Sequence, residues 1–115
     1  MNKNRTFIHH LYDISDSILK IKTFIENYIY EEFCKDEKTH YAVIRALEII
    51  GEAVKQIPEE VTEQYNDIPW KNIKRMRDKL IHHYFGIDLE VVWKTVNEDL
   101  ENLEKVIQEL ISKYS

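Results

Sequence analysis

Five side chains that can bind phosphate or move protons fall within eight consecutive positions: Arg77, Asp78, His82, His83 and Tyr84. An arginine guanidinium stabilises negative charge on phosphate oxygens, and a histidine imidazole can take or give a proton near neutral pH. This pair of groups suits the cleavage of a phosphodiester bond. No metal ion is needed if the 2′-hydroxyl group of RNA acts as the nucleophile. The segment is therefore the first candidate for a functional site.

The spacing of these residues predicts their faces on a helix that turns about 100° per residue. Arg77 and Tyr84 are seven apart and share a face. Asp78 and His82 are four apart, which is a contact spacing, so we expect the carboxylate to hold the imidazole and raise its pKa. His82 itself faces about 140° away from Arg77. A common site therefore requires a bent helix end near Ile81, a second subunit, or both.

A purely structural explanation accounts for the same residues. Arg77 would pair with Glu48 or Glu52 of another helix, and His82 would offset the negative end of the helix dipole. Tyr84 would be an amphipathic residue at the edge of the fold. Residue types alone favour this explanation. Adjacent histidines on a helix point about 100° apart, so no metal site is expected at His82 and its neighbour.

The chain of 115 residues has a net charge of −5, which argues against a protein that coats nucleic acid. The segment 67–86 differs from the rest, since five basic and two acidic residues give it a net charge of +3. Cys34 is the only cysteine, so no intramolecular disulfide can form. No signal peptide or membrane span is expected, and a cytoplasmic location fits.

The elements that must position the site are predicted to be helices, because the chain has only two glycines and two prolines and its apolar residues recur every three or four positions. We expect an all-α single domain over 1–115: an up-down antiparallel bundle of four main helices plus one short helix. The first and last helices are predicted to be long and to leave apolar surface that a dimer would cover. The predicted helices are about 4–33, about 40–56 with Thr39 as N-cap, a short one from 58 to about 66, one capped by Asp67 and stopped by Gly86, and a last one capped by Asp88. The apolar stripe of the first helix is predicted to include Ile25 and Tyr28, and that of the last to comprise Leu89, Val92, Val96, Leu100, Leu103, Ile107, Leu110 and Tyr114.

The run Arg77-x4-His82-x-Tyr84 resembles the signature of the HEPN superfamily, and specifically of the HepT-type toxins, whose motif is Arg-x4-His-x-Tyr. The resemblance extends over most of the chain. It includes the sequence ALEIIGEA at 46–53, IPW at 68–70, YFGID at 84–88 and VW at 92–93.

This resemblance implies an all-helical homodimer that acts as a ribonuclease toxin, with the Arg and His of both subunits facing a shared cleft. Arg77 and His82 match those catalytic positions, and Asp78 matches the polar position that follows the arginine. The implied partner is an MntA-like nucleotidyltransferase antitoxin, which would transfer AMP onto Tyr84. No cofactor is implied.

Further residues are weaker candidates for lining the cleft: His83, Lys74, Glu48 and Glu52. The two glutamates are better explained as structural or cleft-lining residues than as an acid/base pair. The alternative function is a noncatalytic helical adaptor, or a nucleotide-binding subunit of a nucleotidyltransferase complex.

Overall fold

Seven helices and no β-strand make up the residues that the computed structural model describes, which are 7–82 and 87–115, apart from the side chains of 77 and 79–82. The all-α class predicted from the sequence is confirmed. The helices are α1 (Ile8–Phe24), α2 (Tyr30–Lys35), α3 (Glu37–Val54), α4 (Glu59–Thr62), α5 (Trp70–His82), α6 (Leu89–Glu98) and α7 (Leu100–Tyr114).

The first predicted helix is wrong in its length, because α1 ends at Phe24 and a separate helix begins at Tyr30. The chain turns between them at Asn27, which has a φ of 65°. Asparagine adopts this left-handed conformation more readily than most residues. The apolar spacing continued through the turn because Ile25 and Tyr28 still pack against the core. At 17 residues, α1 is no longer than the 18-residue α3, so its length gives no argument for a dimer.

The last predicted helix is broken at Asp99, which separates α6 from α7. The predicted apolar stripe is nevertheless correct on both sides of the break. Its buried members are Val92, Val96, Leu100, Leu103, Ile107 and Leu110. The backbone at Asp99 stays in the right-handed helical region and its N–H bonds the carbonyl of Thr95, so the break is local.

The N-cap of α3 is Asp36 rather than the predicted Thr39. The Asp36 carboxylate accepts hydrogen bonds from the Thr39 backbone N–H at 3.1 Å, from the Thr39 hydroxyl at 2.8 Å and from the Tyr28 hydroxyl. These donors, with Tyr28 first, hold the pKa of Asp36 below its ordinary value. The cap therefore ties the start of α3 to the turn that follows α1.

The short helix α4 covers only Glu59–Thr62 and follows Pro58, so it is shorter than predicted. The next helix, α5, begins at Trp70 immediately after Pro69 rather than near Asp67. The Trp70 indole N–H donates to the carbonyl of Tyr65 at 3.0 Å, which fixes the loop against the start of α5.

The helices α1 and α7 pack antiparallel, as three contacts along them show. Phe7 meets Tyr114 edge to face, with ring centroids 5.3 Å apart; the Gln108 amide donates to the Ser15 hydroxyl at 2.8 Å; and Lys22 pairs with Glu104. The helix α3 packs against both α1 and α5. No helix within the described residues is long and apolar enough to cross a membrane.

Candidate functional site

The helix α5 carries the predicted motif and is helical from Trp70 through His82. Its inner side is fixed by Trp70, which is 9% exposed, and by Ile73 and Met76, which are partly buried against the core. The side chains of Arg77 and His82 lie outside what the structure describes. The backbone is helical through His82, and a bend of the helix end near Ile81 stays a prediction. Positions 77 and 82 therefore lie about 140° apart on the helix.

Two further motif residues, His83 and Tyr84, lie outside the described residues altogether. The chain is described again from Ile87, and Asp88 caps α6 by accepting the backbone N–H of Glu90 at 2.9 Å. Trp93 of α6 packs on the fully buried Phe33, with ring centroids 5.0 Å apart. The chain on the C-terminal side of the motif is thus held by α2.

Asp78 has a partner that the sequence analysis did not include. Its Oδ1 atom accepts a hydrogen bond at 2.8 Å from Nζ of Lys55, which stands at the C-terminal end of α3. Asp78 was predicted to hold His82, and that contact stays a prediction. Nothing in the local sequence pairs Lys55 with Asp78, because 23 positions separate them and only the packing of α3 against α5 brings them together.

The weaker candidates Glu48 and Glu52 lie on α3 and have different surroundings. The Glu48 side chain is 15% exposed and its carboxylate lies 3.7 Å from the Arg45 guanidinium. Glu52 is exposed, and its charge acts on His10. The pKa of His10 is lowered by burial and by the neighbouring His9, while Asp13 and Glu52 act in the opposite direction. The assignment of these two glutamates as cleft-lining residues stays a prediction.

Lys74, the remaining weaker candidate, is half-buried on α5. It borders an open groove between α4 and the start of α5, together with Lys71 and Asn72. The two lysines and the amide can donate hydrogen bonds, but Glu59 and Glu63 line the same groove, so its charge is mixed. Within the part of the chain that the structure describes, no group of three His, Cys, Asp or Glu side chains could hold a metal ion.

A cavity of about 80 Å³ lies beneath α5, between this helix and α3 and α7. Leu47 and Ile50 of α3 form one wall, and Ile73 and Met76 of α5 form another. Met76 directly precedes Arg77 in the chain. The inner packing of the motif helix is therefore incomplete next to the predicted catalytic arginine.

Comparison with known proteins gives the family of this all-helical chain. The model of the ribonuclease HepT-like family matches residues 14–110. The chain therefore belongs to the ribonuclease HepT-like family. This confirms the resemblance drawn from the motif and the enzyme class, an endoribonuclease, that it implied.

Individual relatives agree with this assignment. "Putative RNase MJ0127" of Methanocaldococcus jannaschii is 50% identical over 101 residues, which cover 88% of this chain and 84% of the relative. "Probable ribonuclease HepT" of Thermococcus cleftensis is 48% identical over 106 residues, 92% of this chain and 96% of the relative. "Putative RNase TTE0752" of Caldanaerobacter subterraneus is 37% identical over 113 residues, 98% of both chains. No solved structure matches the chain.

Proposed function

We propose that this chain is the ribonuclease toxin of a toxin–antitoxin pair, and that it cleaves RNA without a metal ion at a cleft between two copies of itself. The observation that carries the proposal is the family match over residues 14–110, which includes Arg77, His82 and Tyr84 at the spacing of the family motif. The single cysteine and an RNA substrate suit a cytoplasmic protein.

The proposed reaction uses the 2′-oxygen of RNA as the nucleophile. This oxygen forms a bond to phosphorus while the bond from phosphorus to the 5′-oxygen breaks. His82 makes one of the two proton transfers, taking the proton from the 2′-hydroxyl or giving one to the departing 5′-oxygen, and water makes the other. Arg77 stabilises the added charge on the nonbridging oxygens. Asp78 would orient the imidazole.

The geometry of α5 supports the proposed homodimer, which the family resemblance also implies. Positions 77 and 82 lie about 140° apart on a helix that continues through His82. A second copy that packs across the end of α5 would let the arginine of one subunit and the histidine of the other face the same phosphate. Size-exclusion chromatography with light scattering should give a mass of about twice 13.9 kDa.

Control by a nucleotidyltransferase antitoxin is proposed for Tyr84. AMP on this phenol would add a phosphate and an adenine to the motif that RNA must approach, and would block RNA by charge and bulk. Intact mass after co-expression with an MntA-like nucleotidyltransferase should rise by whole AMP units. The rise should disappear in Tyr84→Phe, and an unchanged mass for the unsubstituted protein would refute this part.

The cleavage test uses purified protein and single-stranded RNA in excess EDTA. We expect the unsubstituted protein to cut RNA, and we expect Arg77→Ala and His82→Ala to be slower by at least about 100-fold, the usual contribution of a general acid/base. Arg75→Ala, an exposed residue of the same helix, and His9→Ala, an exposed residue of α1, are the matched controls. Full activity of the Arg77 and His82 variants would refute the proposed site.

Expression in cells distinguishes the toxin from the alternative adaptor. A toxin should arrest growth when expressed alone, and the nucleotidyltransferase should relieve the arrest. An adaptor should form the same complex without arresting growth. Arrest that persists unchanged in His82→Ala would contradict the proposed mechanism.

A further inference from the structure

An ion pair between Lys55 and Asp78 joins the motif helix to the C-terminal end of α3. Lys55 Nζ lies 2.8 Å from Asp78 Oδ1, and the two side chains are 33% and 49% exposed. Pairs this exposed contribute little to folding stability. Asp78, however, lies between Arg77 and His82 in α5, so the pair acts on the helix segment that carries the motif.

The apolar contacts of α5 leave a gap on part of its inner side. Ile73 and Met76 are only partly buried, and the cavity of about 80 Å³ lies directly beneath them. Side chains that line such a gap lose the attractive contacts that atoms filling it would make. The hydrogen bond from Lys55 adds a contact between α5 and the C-terminal end of α3, two positions after Met76.

Because positions 77, 78 and 82 belong to one helix, the contact at Asp78 also constrains positions 77 and 82. Position 77 precedes Asp78 by about 100° around the axis, and position 82 follows it by one turn on the same face. Holding Asp78 against α3 therefore sets the rotation of both catalytic positions. The ammonium group also neutralises a carboxylate that would otherwise repel an RNA phosphate near Arg77.

We propose that Lys55 is a positioning residue for RNA cleavage: by bonding Asp78 it fixes the rotation of α5 and so the placement of Arg77 and His82. The inference rests on the proposed ribonuclease function and extends it to a residue outside the motif. Lys55 acts through Asp78 and not on the RNA itself, which separates it from the basic residues of 67–86.

The test measures kcat and KM for RNA cleavage in EDTA by the full chain. Lys55→Ala should lower kcat by roughly tenfold, because small misplacements of catalytic groups reduce rates strongly, with little change in KM. Lys55→Arg keeps a cation that can reach Asp78, so it should restore most of kcat. Lys20→Ala is the matched control, because it also removes one charge and one lysine–aspartate pair, at 2.9 Å on α1.

A double-variant series separates positioning from direct binding of RNA. If Lys55 acts through Asp78, adding Lys55→Ala to Asp78→Asn should slow cleavage no further. An equal further loss in that background would overturn the inference, because Lys55 would then act independently of Asp78. Three other results would also overturn it: a wild-type kcat in Lys55→Ala, an equal loss of kcat in Lys20→Ala, or no recovery of kcat in Lys55→Arg. Thermal unfolding of each variant ensures that all rates refer to folded protein.

Cleavage by the unsubstituted protein and by His82→Ala separates a failed ribonuclease proposal from a failed role for Lys55. If the unsubstituted protein does not cut RNA, or cuts it without needing His82, the proposed function falls and this inference falls with it. If cleavage is intact and depends on His82 while Lys55→Ala is fully active, only the inference falls.

Discussion

Replacing Ile50 by alanine tests whether packing beneath α5 supports the motif. Ile50 is 1% exposed and forms part of the wall of the cavity under this helix. The change removes three carbon atoms, worth about 2.4 kcal/mol at roughly 0.8 kcal/mol each. A new void as large as the existing cavity of about 80 Å³ would add about 2 kcal/mol at roughly 24 cal/mol per Å³. We expect a total loss near 4 kcal/mol.

This loss leaves a folded protein. A chain of 115 residues has a typical free energy of unfolding of about 6–17 kcal/mol. Urea denaturation should show a lower midpoint with an unchanged slope, and Tm should fall by roughly 10–20 °C. Well below that Tm, the RNA cleavage rate of Ile50→Ala should still fall by about tenfold, because the enlarged void lets α5 shift under Arg77.

Ile18→Ala is the matched control for this prediction. Ile18 is fully buried in α1 but does not line the cavity. Its replacement should cost about 2–4 kcal/mol of stability and leave the cleavage rate of the folded protein unchanged. Full cleavage rates in both variants, or an equal loss of rate in both, would refute the connection between the cavity and the motif.

Two further predictions concern stability. The hydrogen bonds to Asp36 lower its pKa in the folded protein below the ordinary 3.8, so the ionised carboxylate stabilises the fold above pH 3.8. This stabilisation is lost as the pH falls through the lower pKa of the folded state. Denaturation curves should therefore show wild type more stable than Asp36→Asn at pH 6 by an amount that shrinks below pH 3.8; a constant difference would contradict this. Phe33→Ala should lower the unfolding free energy by about 3–5 kcal/mol and change the fluorescence of Trp93, which packs on Phe33. Unchanged emission in a Trp70→Phe background would contradict that packing.

The apolar spacing predicted which residues are buried better than it predicted where helices end. In the last segment the predicted stripe from Val92 to Leu110 is buried, yet Asp99 interrupts the helix. In the first, Ile25 and Tyr28 stay against the core across the turn at Asn27. A period of three or four residues indicates which side chains contact the core. A turn whose side chains keep this contact does not interrupt the period, so the sequence does not show where the helix ends.

Helix caps show a similar limit. Thr39 was predicted as the N-cap of α3 and does take part in the cap, but as a donor to the Asp36 carboxylate. Both residue types are good N-caps, so their order along the chain could not decide between them. The hydrogen bond from the Tyr28 hydroxyl, eight positions earlier, depends on the turn after α1.

The motif, together with the similar stretches elsewhere in the chain, predicted the family, which the match over residues 14–110 confirms. The roles of Arg77, His82 and Tyr84 stay predictions. The contact of Asp78 with Lys55 could not be predicted, since it requires the relative placement of α3 and α5. The sequence thus indicated the chemistry of the site, and the structure adds how the motif helix is held.

Cleavage of one RNA oligonucleotide in excess EDTA, with and without a single 2′-deoxy nucleotide at the cut position, tests the central claim most directly. The unsubstituted protein should cut the all-RNA strand and leave a 2′,3′-cyclic phosphate. It should leave the 2′-deoxy position intact, and His82→Ala should cut the all-RNA strand at least about 100-fold more slowly. Cleavage that needs an added metal ion, or that proceeds equally at the 2′-deoxy position, would contradict the proposed mechanism.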